Sequence, residues 1–306
     1  MREQKLVAND KKELHLYIWD DVKEVKGVMQ LVHGSCEHSQ RYDEVAKELN
    51  KIGVVVVSND HRGHGKTADL ENNELGYFAD SNGWELIIDD LKLVNDFIKQ
   101  NWPNKKVILF GHSMGSFMAR TYLIKYGPTV DGAVISGTAW QPQIVLNVGK
   151  SVAKKHIKKH GPKYIDKFIY NLSYTAYGKK FKKEGKTGTE WLSQNKESNQ
   201  KFINDPLCGQ IFTSSAFLDM FMGIEFNQKK KNLKKMDKQM PIILVSGKND
   251  PVGSFGKGVK KTYKAFKKHK LNVEMKLYPE LRHEILFENT EGLVLNDLLT
   301  FVQNNI

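Results

Sequence analysis

The chain has 306 residues, of which 27% are charged and 40% are hydrophobic, a composition typical of a folded globular protein and unlike that of a disordered one. This length suits one large α/β domain or two small ones, and it lets the fold bury about three quarters of the unfolded surface. No apolar stretch reaches the roughly 18 residues of a membrane span, and the polar residues 1–10 lack the features of a secretory signal. We therefore expect a cytoplasmic protein.

The formal net charge of +12 comes from one middle segment of the chain. Between Ala139 and Met240 there are 20 lysines, no arginine and 8 acidic residues, whereas basic and acidic residues balance elsewhere. Only five of the 47 basic residues are arginine, so a general bias towards lysine inflates this basic count. Four of those five arginines, at positions 41, 62, 120 and 282, lie in or beside the motifs described below, which indicates a need for the forked guanidinium.

The two cysteines, Cys36 and Cys208, are too few for a disulfide framework and are not spaced as a zinc site. We expect free thiols in a reducing compartment. Cys36 lies within one of the motifs below, so it is either a reactive thiol near the active site or an inert, buried packing residue. Inert packing is the commoner role of a free cysteine.

Short apolar runs alternate with helical patterns in the first part of the chain, which predicts βαβ units and a parallel sheet. Strands are predicted at residues 14–19, 27–33, 54–58, 107–110 and 133–136. Helices are predicted between them at residues 42–51, 84–102 and 114–126.

The alternation stops at Trp140 and resumes with a strand at 241–246, a helix at 255–269, a strand at 273–278 and a last helix at 286–302. The lysine-rich segment between these halves has helical periodicity, and its charged end at 229–235 is typical of a linker. We predict an α/β fold with a mostly parallel central sheet flanked by helices and a helical cap inserted after the sixth strand. The predicted parts are a core of residues 1–138, a cap of residues 139–238 and a second core part of residues 239–306.

The sequence Gly111-His-Ser-Met-Gly115 fits the pattern Gly-x-Ser-x-Gly, directly after a predicted strand and directly before a predicted helix. This context is that of a nucleophile elbow, a sharp turn that exposes a serine above a parallel sheet. The helix N-terminus behind Ser113 favours the negative charge that develops in acyl transfer. The alternative is a chance glycine-rich turn, and the flanking strand and helix argue against it.

A serine nucleophile needs a base that takes its proton and an acid that orients the base. In this type of fold the three occur in the order Ser, acid, His. Asp250 follows the strand at 241–246 and His283 follows the last strand, so we predict a triad of Ser113, Asp250 and His283. The rivals are His269 as the base and Asn249 or Glu280 as the acid, and Asp250 could also be a simple turn residue before Pro251.

The sequence His33-Gly-Ser35 ends the second predicted strand and should contribute to an oxyanion hole. The predicted donors are the backbone N–H groups of Ser35 and Met114, worth about 3 kcal/mol each. We expect His33 itself to be structural. The segment Asp60-His-Arg-Gly-His-Gly65 lacks the P-loop and dinucleotide-binding patterns, so we interpret it as a tight turn on the active-site side.

Three segments together resemble the monoacylglycerol lipase and lysophospholipase group of α/β-hydrolases, which is classified near the serine aminopeptidases. They are residues 33–42 (His-Gly-Ser-Cys-Glu-His-Ser-Gln-Arg-Tyr), 60–65 and 111–115. The resemblance implies the α/β-hydrolase fold, a helical cap over an acyl tunnel and an enzyme independent of metal ions. It also implies that Glu37 and Arg41 lie beside the polar end of the pocket, either as a structural pair or as head-group contacts, and His112 is a further substrate-binding candidate.

The leading functional prediction is a serine carboxylic-ester hydrolase that cleaves a monoacyl lipid, either a monoacylglycerol or a lysophospholipid, through an acyl-enzyme on Ser113. An acyl thioesterase and a small-ester carboxylesterase are alternatives of the same class. An inactive binding protein with this fold is the alternative from another class, and such a protein would usually have lost a triad residue. We expect no cofactor, no metal ion and no nucleic-acid partner.

The start of the cap carries a basic amphipathic pattern. Ile144, Val145, Val148 and Val152 share one helical face, and most of the nearby lysines lie elsewhere on the helix. This pattern predicts peripheral contact with an anionic membrane, at the inner face for a cytoplasmic protein. The alternative is that the apolar face packs on the core beneath while the lysines are only solvated.

Overall fold

Eight strands form one sheet in the computed structural model, which describes residues 1–306. They are β1 (Arg2–Val7), β2 (Glu13–Trp19), β3 (Gly27–Val32), β4 (Val54–Asn59), β5 (Lys106–His112), β6 (Gly132–Ser136), β7 (Ile242–Gly247) and β8 (Val273–Tyr278). Their order across the sheet is β1-β2-β4-β3-β5-β6-β7-β8, with antiparallel pairing of β1 with β2 and of β2 with β4. The strands from β4 to β8 in this order are parallel, so their carboxyl ends meet at one edge of the sheet.

Ten α-helices lie between or after these strands. They are α1 (Asp43–Lys51), α2 (Gly83–Asn101), α3 (Met114–Tyr126), α4 (Gln143–His160), α5 (Lys167–Tyr177), α6 (Lys196–Asn204), α7 (Ser214–Gln228), α8 (Lys230–Leu233), α9 (Lys257–Lys268) and α10 (Leu293–Asn305). Helices α4 to α8 all lie between β6 and β7, so the predicted insertion of helices after the sixth strand is confirmed. None of the ten helices has both the length and the apolar character needed to cross a bilayer.

Strand β4 shows how the central strands are buried on both faces. Val54 and Val56 pack in the hydrophobic cluster formed with α1 and α10, whereas Val55 and Val57 pack in the larger cluster formed with α2 and α3. Successive side chains of a strand point to opposite faces, so an unbroken run of valines is stable only when helices cover both. The predicted mostly parallel sheet flanked by helices is therefore confirmed.

Three details of the secondary-structure prediction were wrong. Strand β1 was missed because its sequence is mostly polar and exposed, and it is defined by its pairing with β2 rather than by a hydrophobic pattern. The last helix begins at Leu293 instead of residue 286, since Ile285–Phe287 form a separate 3₁₀ turn. The charged run at 229–235, predicted as a linker, contains the short helix α8, which buries Leu233.

Candidate active site

Ser113 occupies the turn between β5 and α3, with φ at 54° and ψ at −119°. A positive φ is strained for a residue that has a side chain, and such strain is characteristic of functional turns. The flanking glycines permit this turn: a Cβ on Gly115 would collide with the carbonyl oxygens of Val32 and His33. The helix α3 therefore packs directly against the end of β3, with the Ser113 side chain at the sheet edge.

The three residues of the predicted triad lie in one hydrogen-bonded row. His283 Nε2 is 2.8 Å from Ser113 Oγ, and His283 Nδ1 is 3.0 Å from Asp250 Oδ2. Asp250 follows β7 and His283 follows β8, so the parallel strands bring both residues to the edge where Ser113 lies. This arrangement has the contacts that a serine nucleophile with a general base and an orienting carboxylate requires.

The Asp250 carboxylate is fully buried and held in place by two donors. Ser246 Oγ donates to it at 3.2 Å, and the N–H of Val252 donates at 2.8 Å. Burial acts to lower the pKa of His283, but Asp250 and, more weakly, Glu284 outweigh burial and raise that pKa above its ordinary value. The environment of His283 therefore favours the imidazolium that forms when a serine proton is taken.

The rivals for the triad roles lie elsewhere. His269 follows α9, and its Nδ1 is 2.9 Å from the carbonyl oxygen of Ala265. The Asn249 side chain donates to the carbonyl oxygen of Glu280 at 3.2 Å, and neither of these two residues is hydrogen-bonded to His283. The structure therefore brings Asp250, and neither rival acid, to His283.

The loop after β3 approaches Ser113 closely. A Cβ on Gly34 would lie 3.1 Å from the Ser113 Cβ, and the Gly34 N–H donates to Glu37 Oε1 at 2.6 Å. Ser35, a predicted oxyanion donor, follows Gly34 and lines both cavities that reach Ser113. Met114, the other predicted donor, is the first residue of α3, where a backbone N–H has no acceptor within the helix.

Buried histidines support this loop from below. The rings of His33 and His61 stack with centroids 3.9 Å apart, and His33 Nε2 accepts the N–H of His61 at 3.1 Å. In the same turn the Arg62 guanidinium donates to both carboxylate oxygens of Asp90 at 2.6 and 2.9 Å. The segment 60–65 is therefore held by packing and ion pairs beside the site, which is consistent with its interpretation as a tight turn.

Arg41 pairs with Glu37 and with Glu284, the residue after His283. Arg41 Nη1 donates to Glu37 Oε2 at 2.5 Å, and its two terminal nitrogens donate to the two carboxylate oxygens of Glu284 at 2.7 and 2.8 Å. Glu37 Oε1 also accepts the Tyr42 hydroxyl at 2.9 Å. All the carboxylate oxygens of this group are thus occupied by protein donors.

Two cavities meet at Ser113. One of about 230 Å³ is mainly apolar, and its lining includes Phe117, Leu146, Leu172, Met220 and Phe221. The other, of about 50 Å³, has a mixed lining in which polar residues such as His112, Glu37 and Glu284 outnumber hydrophobic ones. Burial holds the pKa of His112 well below its ordinary value, so a neutral imidazole faces this cavity. The site therefore offers a mainly apolar cavity and a smaller, more polar one, both lined by Ser113.

Comparison with known proteins places this chain in a family. The family model described as serine aminopeptidase, S33, matches residues 23–290. The chain belongs to this family. A monoglyceride lipase homolog of monkeypox virus is 25% identical over 97% of this chain and 96% of its own length. A monoacylglycerol lipase of Mycolicibacterium smegmatis is 24% identical over 94% of this chain and 92% of its own length.

Solved structures agree with this assignment. The crystal structure of a highly thermostable carboxyl esterase from Bacillus coagulans, in complex with glycerol, superposes with a TM-score of 0.90. That esterase is 25% identical in sequence, and the match covers 99% of this chain and 98% of the esterase. The family, the lipase relatives and the esterase structure identify the chain as an α/β-hydrolase and a serine-type carboxylic ester hydrolase.

Three side chains of the hydrolase's site were missed by sequence reasoning. Tyr174 of α5 donates its hydroxyl to Ser35 Oγ at 2.8 Å, and the Trp191 ring lies with its centroid 5.2 Å from that of His283. Glu284 is the third. The segment 189–195 carries no motif, so nothing in the sequence marks Trp191, whereas the position of Glu284 directly after His283 was an available signal.

Neither cysteine has the surroundings of a reactive thiol. The Cys36 side chain is buried, its thiol donates to the carbonyl oxygen of Gln210 at 2.9 Å, and burial raises its pKa to about 12. This environment favours the packing role over the reactive one.

Cys208 lies in a group that offers donor atoms of the kind that bind metals. Its sulfur and one atom each of His38 and Asp205 lie within 4.8 Å of one another. Burial raises the pKa of the Cys208 thiol, which opposes the thiolate that a metal requires. His38 Nε2 already lies 2.8 Å from Asp205 Oδ2, so a hydrogen bond explains this contact, and we assign no metal to the group.

Proposed function

We propose that this hydrolase cleaves the acyl ester of a monoacyl lipid, either a monoacylglycerol or a lysophospholipid, through an acyl-enzyme on Ser113. The observation that carries the proposal is the apolar cavity of about 230 Å³ that reaches Ser113 beneath the helical insert. Burial of an acyl chain there is favourable by about 0.8 kcal/mol per methylene. The smaller, more polar cavity at Ser113 suits a polar leaving alcohol.

The proposed reaction starts when His283 Nε2 takes the proton of Ser113 Oγ, which bonds to the ester carbonyl carbon. The N–H groups of Ser35 and Met114 stabilise the negative charge on the former carbonyl oxygen. His283 then gives its proton to the leaving alcohol as the C–O bond breaks. A water molecule, deprotonated by His283, attacks the acyl-enzyme, and release of the fatty acid restores Ser113.

The contacts of the smaller cavity argue against a peptide substrate, although the family is named after an aminopeptidase. An aminopeptidase must bind a free α-ammonium, which requires an available carboxylate. The two carboxylates of this cavity, Glu37 and Glu284, are both occupied by Arg41. The lysine-rich insert adds a repulsive field for a cationic substrate, which is weaker at high salt.

A substrate panel tests the proposed function. Purified protein is assayed with a long-chain monoacylglycerol, a lysophospholipid, an acyl thioester, a short-chain ester and an aminoacyl amide. We expect one of the two monoacyl lipids to have the highest kcat/KM, and a fluorophosphonate probe to label the protein but not Ser113→Ala. A preference for the thioester or the short ester would overturn the lipid assignment, and a lack of labelling would support the inactive binding protein.

A specific observation supports a membrane as a partner, and we propose that the outer cap helices contact an anionic lipid surface. Ile144, Val145 and Val148 of α4 are 74%, 51% and 57% exposed, so most of the predicted apolar face does not pack on the core. Only Val152 packs against the core cluster. Leu172 of α5 is 66% exposed as well. Lysines near such a surface contribute about 1 kcal/mol each at low salt.

Vesicle binding tests this partner. We expect the protein to bind vesicles with anionic lipid at low salt, to bind neutral vesicles less, and to dissociate at high salt. The double variant Ile144→Ser/Val148→Ser should reduce binding, whereas Val7→Ser, an exposed apolar residue of β1, serves as a control and should not. Equal binding to anionic and neutral vesicles at low salt would contradict the proposal.

A further inference from the structure

Glu37, Arg41 and Glu284 form a buried cluster with one cation and two carboxylates, here named the Arg41 cluster. Glu37 and Glu284 are 1% and 4% exposed, and the Arg41 side chain is 10% exposed. The cluster is also fixed by aromatic rings, since the guanidinium carbon of Arg41 lies 5.0 Å from the ring centroid of Phe202 and 4.7 Å from that of Phe287. Burial makes each of these charges act more strongly on its neighbours than it would in water.

We propose that Arg41, Glu37 and Glu284 are positioning residues that hold the loop of residues 33–38 after β3, here named the oxyanion loop, against the loop of His283. We also propose that their excess negative charge stabilises the imidazolium formed during catalysis. This inference rests on the proposed Ser113 mechanism. It assigns the cluster a role in the chemistry in addition to a structural one.

The locking role follows from the two ends of the cluster. At one end, Glu37 Oε1 accepts the N–H of Gly34, so it orients the peptide that precedes the donor Ser35. At the other end, Glu284 follows His283 directly, and the Glu284 N–H donates to the carbonyl oxygen of Leu192 at 2.7 Å. The forked guanidinium of Arg41 contacts both carboxylates at once, which a lysine ammonium cannot do with the same geometry.

The electrostatic role follows from the mismatch in charge. One carboxylate would neutralise Arg41, yet two are buried against it, and burial raises the pKa of Glu37 in spite of Arg41. The second negative charge is therefore costly in the resting enzyme. It is compensated when a positive charge appears nearby, so the cluster favours the transition state over the ground state.

His283 is the group that gains this positive charge, and Arg41 is the cation of the cluster beside it. Asp250 and Ser113 are hydrogen-bonded to His283, while His112, whose ring centroid is 4.7 Å away, has a pKa held low by burial. Trp191 covers the ring from the insert. Beyond Asp250, Glu284 and then Glu37 raise the pKa of His283 against the effect of burial.

The variant Glu284→Gln tests the inference, because it removes one charge and keeps the shape of the side chain. The measurement is kcat/KM against pH, with a water-soluble acyl ester. We expect the acidic limb, which reports His283, to move to lower pH by about half a unit to one unit, since a negative charge near the imidazolium is lost. The plateau of kcat should fall about three- to tenfold with KM nearly unchanged.

Glu288→Gln is the matched control. Glu288 is 8% exposed, lies in the same loop and accepts the Arg282 N–H at 3.0 Å and the Ser193 hydroxyl at 2.8 Å, but it does not contact Arg41. Both variants should lower the thermal midpoint, and only Glu284→Gln should move the acidic limb. Glu284→Asp, which keeps the charge, should leave the limb close to that of the wild type.

An unmoved limb in Glu284→Gln, with a loss of stability like that of Glu288→Gln, would reduce the cluster to a structural support and overturn the inference. The Ser113 mechanism would survive that result if Ser113→Ala remained inactive. If Glu284→Gln does not fold, Arg41→Lys provides the second test. This variant keeps the net charge of the cluster but loses the forked guanidinium that contacts both carboxylates. We therefore expect kcat to fall while the acidic limb of the pH profile stays in place. An unchanged kcat would overturn the locking role.

Discussion

The parallel sheet and the helical insert meet at Ser113, but they differ in charge and in exposure. Outside the insert, basic and acidic residues balance, and the candidate triad stands at the buried ends of β5, β7 and β8. The insert carries the excess of lysine and exposes large apolar side chains such as Ile144 and Leu172. In the proposed mechanism the edge of the sheet therefore supplies the groups for the chemistry, and the insert supplies most of the lining of the apolar cavity and a surface exposed to solvent.

The insert itself contains a second contrast. Helix α7 is buried against α2 and α3, where Asn227 Nδ2 donates to the carbonyl oxygen of Phe117 at 2.8 Å and Asn227 Oδ1 accepts the hydroxyl of Thr121 at 2.8 Å. Helices α4 and α5 expose much of their apolar surface. Although α7 belongs to the proposed cap of residues 139–238, it anchors that cap to the core, and only the outer helices are free to meet a substrate surface.

The variant Ser113→Ala gives the strongest test of the proposal that the sheet edge carries the catalytic groups while the insert lines the cavity. We expect ester hydrolysis to fall by about 10⁴-fold or more, because the nucleophile is lost while the packing of the core is kept. Turnover by purified, folded protein is the measurement, with far-UV circular dichroism as the control for folding. Retention of a tenth of the wild-type rate would contradict the assignment of Ser113 as the nucleophile.

The other two triad residues give the next largest effects. We expect Asp250→Asn and His283→Ala each to lower kcat by about 10⁴-fold, since one loses the orientation of the imidazole and the other loses the base. His269→Ala, at the end of α9, is the matched control and should retain wild-type kcat. Loss of activity in His269→Ala with survival in His283→Ala would contradict the assignment.

We expect the free energy of unfolding to fall at low pH, because three histidines, His33, His61 and His64, are buried in or next to the oxyanion loop. Burial lowers the pKa of His61 to about 3 and of His64 to about 4, and it holds the pKa of His33 well below its ordinary value. The unfolded chain binds protons below about pH 6.5 while these folded groups do not, so stability is present above that pH and lost below it.

For His61 and His64 together the expected loss is about 1.4 kcal/mol per pH unit at pH 6.5, where the unfolded histidines are half protonated, and approaches about 2.7 kcal/mol per pH unit near pH 5. Urea denaturation at pH 7.5, 6.5, 5.8 and 5.0 measures it. His61→Gln should show a shallower dependence on pH than the wild type. A free energy of unfolding that stays constant over this interval would show that these histidines bind protons equally in both states.

Tyr174→Phe probes the hydrogen bond from α5 of the insert to the side chain of Ser35. Loss of its hydroxyl frees Ser35 Oγ, and we expect kcat to fall about three- to tenfold, the effect of losing a hydrogen bond worth about 1 kcal/mol. Tyr170→Phe is the control, because Tyr170 stacks on Tyr174 in the same cavity but its hydroxyl has no hydrogen-bond partner. Equal effects of the two variants would assign Tyr174 to packing alone.

The smallest expected effect is that of a chelator. We expect EDTA to leave activity unchanged, because the candidate mechanism uses only Ser113, His283, Asp250 and backbone donors. The variant Cys208→Ser should behave like the wild type in the same assay. Inactivation by EDTA that added zinc reverses would contradict this expectation and would indicate a metal site, for which His38, Asp205 and Cys208 offer donor atoms.

Much of the fold could be predicted because its signals are local. The valine run of β4, the apolar faces of α1 and α2 and the glycines around Ser113 act through residues within a few positions of each other. Chain order then pointed to Asp250 and His283, because residues after neighbouring parallel strands must reach the same edge. The retention of arginine at positions 41 and 62 was also informative, since both guanidinium groups make forked contacts with carboxylates.

Tertiary structure alone decided which distant side chains became partners. Arg41 contacts Glu284 and Tyr174 contacts Ser35 across long stretches of chain, and no periodicity or spacing encodes such contacts. The same holds for burial: α7 became an anchor and the apolar face of α4 stayed exposed, although both helices carry apolar residues at helical steps. The physical reason is that secondary structure depends on neighbours along the chain, whereas burial and pairing depend on which surfaces the folded chain brings together.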